Sequence, residues 1–297
     1  MDTTQIKETI TKNRPNIQQS TINSYTSVLK SMYKMIYPDD KTIDITKFQD
    51  TKKFSEYLMN NFDPSVRKQY FSTLVVLTEL DEYRTQMMED VAWVNEHQNH
   101  EMSKKQHDNH LTLTQINALL KTLKLQVKPI YDNKSYTPEN LITIQNYVLI
   151  NLFSGRFIPP RRSLDWTAFK IRNIDKEKDN YLDNNFLVFN NYKTKSTYGQ
   201  QRVLINKTLQ NILNKYIKVI PENQEYLLFS VTGKPLSSVS FNQRWNNIFN
   251  APISTNQFRH FYLSHHYQNH IGLEQDLIKM GTSKAQLTTY IQKGDFK

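Results

Sequence analysis

Four short stretches hold residues with chemistry to offer. In FIPPRRSLDW (157–166), Pro159 and Pro160 stand ahead of a helical pattern and predict Arg161 and Arg162 in a first helical turn. Cations there oppose the helix macrodipole, unless an anion arrives to use the free backbone N–H groups and two guanidiniums as a phosphate site. The alternative is a surface Arg pair joined to Asp165. In YKTKSTYG (192–199), Lys193 and Lys195 lie on a flexible turn between β-favouring runs. A lysine there can enter a DNA groove or protonate a leaving oxygen, although solvated turn lysines look the same. In STNQFRHFYLSHHYQ (254–268), Arg259 comes early in an aromatic-rich helix, held by Phe258, Phe261 and Tyr262 or by a salt bridge. The last stretch, MGTSKAQLTTY (280–290), ends on Tyr290, one of 17 tyrosines, and nothing in its own neighbourhood singles it out.

These stretches need elements to position them. STINSYTSVLKSMYKMIY carries apolar residues at steps of three and four and predicts a helix, with Ser20 or Thr21 as N-cap. A shorter helix around TKKFSEYLMN follows. SVRKQYFSTLVVLTELDEYRTQMMEDVAWV, with neither Gly nor Pro, predicts one long helix or two. NEHQNHEMSKKQHDNH (95–110) loses its apolar period and reads as a linker. Its histidines, His97, His100, His107 and His110, lack a carboxylate or cysteine framework and read as solvated residues, not as a metal site. Helices resume at LTLTQINALLKTL, with Thr114 as cap, and at LITIQNYVLINLFSG. NNFLVFNNYKTKSTYGQQRVLI predicts a hairpin, and the chain from KTLQNILNKYIKVIP onward reads as mostly helical. The expectation is a mainly α chain: a helical domain over 1–107 and a larger α+β domain over 108–297 with a small antiparallel β-hairpin sheet.

Composition narrows the partner. The net charge is +10 with pI about 9.4, and residues 151–215 hold 12 Lys+Arg against 5 Asp+Glu. Such a surplus suggests a polyanion, usually nucleic acid, or merely a solvated basic surface. No apolar run approaches the ~18 residues of a membrane span. The polar start lacks the core of a secretory signal, and there is no cysteine, so an intracellular location is expected.

Taken in order, Arg, hairpin Lys, Arg and Tyr resemble the tyrosine recombinase (phage integrase) superfamily across the whole second domain. Arg162 with Asp165 three residues on, then Phe169 and a strand at IRNID, match the first arginine box and favour Arg162 over Arg161. Lys193, rather than Lys195, matches the hairpin lysine. NQFRH matches the second arginine box at Arg259 and His260, with Asn256 in place of its first histidine. MGTSKAQLTTY matches the last box at Gly281, Ser283, Thr288 and Tyr290, with Thr282 where a histidine is expected eight residues before the tyrosine. The PPRR form and the Asn/Lys-rich composition are similar to integrases of DNA viruses and virophages.

The resemblance implies a two-domain clamp on duplex DNA, its front domain a helical core-binding domain. It implies a homotetramer on synapsed DNA, with a DNA-bending accessory protein as a further partner, and no metal or cofactor. Tyr290 would attack a phosphodiester, Arg162 and Arg259 would clamp the non-bridging oxygens, and Lys193 would protonate the leaving 5′-oxygen. Asn256 and Thr282 can donate hydrogen bonds but cannot act as bases near neutral pH, which leaves His260 or a water. Two rivals share the residues: a type IB topoisomerase-like DNA relaxase, and a catalytically weakened relative that only binds DNA.

Overall fold

The computed structural model describes residues 2–97, 110–266 and 273–282. The chain divides into two compact units, Met1–Asn99 and His100–Lys297. The boundary expected at 107/108 falls among residues outside those described.

The first unit contains α1 (Thr4–Asn13), α2 (Gln19–Ile36), α3 (Thr51–Asn61), α4 (Pro64–Thr78) and α5 (Asp81–His97). Of these, α1, α2 and α3 are clearly amphipathic. In α2 the buried positions Ile22, Thr26, Leu29, Met32 and Tyr33 follow the helical period and face a core that includes Phe48, Phe54, Phe71 and Tyr83. Neither Ser20 nor Thr21 caps α2, because the helix starts a residue earlier, at Gln19, and its N-cap Gln18 makes no side-chain cap bond. The long apolar stretch forms two helices. Glu79 takes a left-handed conformation (φ 60°), and the Asn13 amide donates to the Val76 and Leu77 carbonyls, each at 3.0 Å. A side chain from α1 thus caps the end of α4 where no Gly or Pro marks it.

The second unit opens with α6 (Leu113–Asp132) and α7 (Pro138–Phe153). Thr112, not Thr114, caps α6. It forms a capping box with Gln115, in which each side chain satisfies a backbone N–H of the other residue. A sheet of β1 (Tyr181–Asp183), β2 (Phe186–Phe189) and β3 (Gln201–Leu204) is antiparallel throughout, with Tyr181 opposite Val188 and Phe189 opposite Gln201. IRNID does not form a strand. Only Lys170 bridges, to Tyr181 and to Tyr226, and the N–H groups of Ile171 and Arg172 both turn to the one carbonyl of Glu225, so the ladder goes no further. Then come α8 (Lys207–Ile217), α9 (Ser238–Phe249), α10 (Thr255–His266) and α11 (Leu273–Lys279).

Aromatic packing carries the second core. Phe153 lies 5.3 Å from Trp245 and 6.0 Å from Trp166 between ring centroids, and Trp245 lies 4.4 Å from Phe258. Trp166 and Phe258 are the sequence neighbours of Asp165 and Arg259, so this core fixes the backbone on which both sit. Gly155 (φ 74°) ends α7, and a Cβ there would stand 2.4 Å from the Tyr262 ring. The close approach of α7 and α10 requires glycine at this point.

No helix among the described residues is long and apolar enough to cross a membrane. Among them no three His, Cys, Asp or Glu side chains gather as a metal site. Of the linker histidines only His97 and His110 are described, and His97 stacks on Trp93 at 4.2 Å.

Candidate functional site

The site forms where the sheet, the 158–165 segment and the end of α11 meet. Arg161 and Arg162 do not begin a helix. Arg162 is extended (φ −68°, ψ 150°) and caps a single 3₁₀ turn, Ser163–Asp165. So short a turn offers no helix terminus for an anion, and the guanidiniums themselves carry the charge of the site.

Arg161 is buried (1% exposed) beside Asp165 (0%). Its Nε donates to Asp165 Oδ2 at 2.8 Å, and its Nη1 donates to Gln201 Oε1 at 2.6 Å and to the Lys279 carbonyl. Phe189 and Tyr192 flank the guanidinium, with ring centroids 3.9 and 5.0 Å from Cζ. Its Nη2 is buried with no hydrogen-bond partner among the described residues. Burial lowers the Arg161 pKa from its ordinary value and raises that of Asp165, each offset in part by the other's opposite charge.

The other arginines reach the same strip of backbone. Arg259, fully buried on α10, donates through Nη1 to the Pro160 and Met280 carbonyls, each at 3.1 Å. Arg162 donates to the Gly281 carbonyl. Three successive carbonyls, of Lys279, Met280 and Gly281, therefore each accept from a different arginine. The strip is the end of α11, closed by a Schellman motif: Thr282 N–H donates to Leu277 O at 2.9 Å and Gly281 N–H to Ile278 O at 2.8 Å. Gly281 has φ 63° there, as the motif demands. Cations at a helix C-terminus are favourable, which explains why the arginines gather on these carbonyls.

Hydrogen bonds anchor the hairpin tip. It forms one helical turn, Lys195–Tyr198. The Thr194 hydroxyl donates to Gly281 O at 2.8 Å, Tyr198 to Thr282 O at 3.3 Å, and Tyr192 to Gly199 O at 2.7 Å. Lys193 and Lys195 are exposed on either side of Thr194.

Of the residues expected from sequence, Arg161, Arg162, Asp165, Arg259 and Thr282 come together, and Thr282 is buried (1% exposed). On α10, Asn256 is exposed and His260 half-buried. Tyr290, Ser283 and Thr288 lie outside the described residues. Sequence reasoning missed Gln201, whose amide bridges Arg161 and the Ile278 carbonyl (2.7 Å). It also missed Asn180, which donates to the Asp165 and Asn191 carbonyls at 2.9 and 2.7 Å and so fastens the sheet to the 3₁₀ turn. Neutral amides in an Asn/Gln-rich chain give no signal. The alternating pattern QRVL alone could have shown that Gln201 faces inward.

Chemically, three guanidiniums face one carboxylate in a largely buried place. Their present acceptors are mostly neutral carbonyls, and a phosphate oxygen bearing full charge competes well for such donors.

No family model matches the chain, and no curated protein matches it in sequence. Solved structures do match. The Tn1549 transposon integrase in complex with circular intermediate DNA is similar over 100% of this chain and 97% of its own, with TM-score 0.58 and 13% identity. A lambda integrase dimer bound to a COC' core site is similar over 98% of this chain and 95% of its own, with TM-score 0.55 and 14% identity. At such identities the likeness is one of fold. The chain has the mainly helical integrase fold with a small antiparallel sheet that the resemblance to tyrosine recombinases implies.

Proposed function

We propose that the chain is a site-specific DNA recombinase that cuts and rejoins duplex DNA through a 3′-phosphotyrosyl intermediate on Tyr290. The observation that carries this reading is the convergence of Arg161, Arg162 and Arg259 on the carbonyls of residues 279–281, just before the segment that ends on Tyr290. The full-length likeness to DNA integrases supports it.

In the proposed reaction, Tyr290 Oη forms a bond to the scissile phosphorus and the P–O5′ bond breaks. Its phenolic proton passes to His260 or a water, and Lys193 delivers a proton to the departing 5′-oxygen. Arg162 and Arg259 clamp the non-bridging oxygens, a preorganised role worth about 3–4 kcal/mol per donor in other enzymes. A planar guanidinium fork suits this better than an ammonium. Attack by a 5′-hydroxyl of another strand reverses the step and completes exchange. We place the protein inside the cell, on duplex DNA, as a homotetramer that integrates or resolves a viral or mobile genome.

The deciding test is a suicide duplex nicked next to the cleavage point, drawn from inverted repeats flanking the gene. Wild type should trap a covalent protein–DNA adduct, and Tyr290→Phe should not. Equal trapping by both, or none by wild type, sinks the reading. Relaxation of any supercoiled plasmid without site preference would favour the topoisomerase-like alternative.

A further inference from the structure

Away from this site, an open groove of about 510 Å³ runs between α7 and α9, walled by Ile142, Leu236, Val239 and Ile248. Arg244 is the one charged residue among those lining it. Its Nη1 donates to Gln145 Oε1 at 2.6 Å and its Nη2 to the Phe229 carbonyl at 3.1 Å, both neutral acceptors. No carboxylate pairs with it among the described residues, in contrast to Arg161 with Asp165. Burial pushes its pKa down to about 10.

The surroundings are short of an acceptor as well. Gln145, fully buried beneath the groove beside Arg244, has its Nε2 without a hydrogen-bond partner among the described residues. A half-buried cation lining the groove and held only by neutral acceptors favours an anion there. The rim adds a second demand: Val231 is 70% exposed and Val239 78%, the two most exposed large apolar side chains among the described residues. A single guanidinium between apolar walls does not suit the DNA backbone, which is gripped by several cations at once. It suits a peptide that brings one carboxylate and one apolar side chain together.

We propose that the α7/α9 groove docks a segment of a partner protein, seating its carboxylate on Arg244 and a branched apolar side chain against Val231 and Val239. The inference does not rest on the recombinase reading, because no residue of the candidate active site takes part.

The test uses the full chain and blocked dipeptides as probes, followed by NMR at the Val231 and Val239 methyls and the Arg244 Nε–H. Acetyl-Leu-Asp-amide should give saturable shifts at these signals, with a dissociation constant on the order of millimolar. Acetyl-Leu-Asn-amide, which lacks the charge, and acetyl-Ala-Asp-amide, which lacks the branched chain, should each bind about tenfold more weakly. Val239→Asp, an exposed change, should abolish binding and leave Tm and adduct formation unaltered. Equal binding of the Leu-Asn probe, no saturable shift, or equal shifts with inorganic phosphate would overturn the proposal. So would a dimer that Val239→Asp separates, since the groove would then be filled by a second copy.

Discussion

Arg161 Nη1 lies 2.6 Å from Oε1 of Gln201, forty residues further along the chain, and the same amide donates to the carbonyl of Ile278 at 2.7 Å. One neutral side chain thus ties a buried guanidinium to the helix that leads into the tyrosine segment. Gln201→Leu would take one acceptor from Arg161 Nη1 and one donor from the Ile278 carbonyl, leaving Arg161 Nη1 the Lys279 carbonyl and the Ile278 carbonyl the Gly281 N–H. We expect a loss of about 1–3 kcal/mol in denaturant unfolding. Gln201→Glu keeps the acceptor for Arg161 and should recover most of the adduct formation that Gln201→Leu loses. If the two variants lose adduct formation alike, Gln201 does not act through Arg161.

The adjacent arginines should separate cleanly. Arg161→Ala strands Asp165 as a buried, unpaired carboxylate, costing about 3–5 kcal/mol. Arg162 is only part-buried, so Arg162→Ala should change stability by about 1 kcal/mol or less. If Arg162 grips phosphate, its loss should lower the slope of log K against log salt for duplex DNA by about 0.9. Thermal unfolding and salt titrations read the two effects independently.

Gly281→Ala places a Cβ 3.2 Å from Arg161 Nη2 on a backbone with φ 63°. The left-handed conformation alone costs a non-glycine residue roughly 1–2 kcal/mol. Calorimetry should show a lower Tm, and Gly281→Asn should be milder because Asn tolerates this conformation better. A neutral Gly281→Ala would mean that the turn relaxes freely.

Lys193 sits next to Thr194, whose hydroxyl fastens the hairpin tip to the Gly281 carbonyl at 2.8 Å. As the general acid of the proposed reaction, its removal in Lys193→Ala should slow adduct formation by roughly 10²–10⁴-fold. A duplex with sulfur in place of the 5′-bridging oxygen has a leaving thiolate that needs no proton, and should restore the rate. Lys195→Ala serves as the neighbouring control. A deficit that the sulfur substrate leaves untouched would remove Lys193 from this role.

The helices were legible because their apolar residues recur at the helical period, and α2, α6 and α8 stand where those stretches lie. Boundaries were less so. The break between α4 and α5 comes from Asn13 reaching across from α1, and Thr112 won the cap of α6 through a reciprocal bond with Gln115. The 3₁₀ turn at Ser163–Asp165 carries the same Pro-Pro-Arg-Arg lead that predicts a helix start.

At the site, the sequence by itself determined the charged residue types and their order: Arg161 and Arg162, the hairpin lysines, Arg259, and the glycine that closes α11. Charge and glycine are properties of single residues and show in one dimension. Tertiary structure alone decided that Arg161 is the arginine sealed against Asp165, and that Gln201 and Asn180 bind the pieces together. It also decided that three arginines share three successive carbonyls. The bonds from Arg161 to Gln201 and to the Lys279 carbonyl join residues 40 and 118 positions apart, which only packing of the aromatic core around Phe153, Trp166 and Trp245 brings within hydrogen-bond reach.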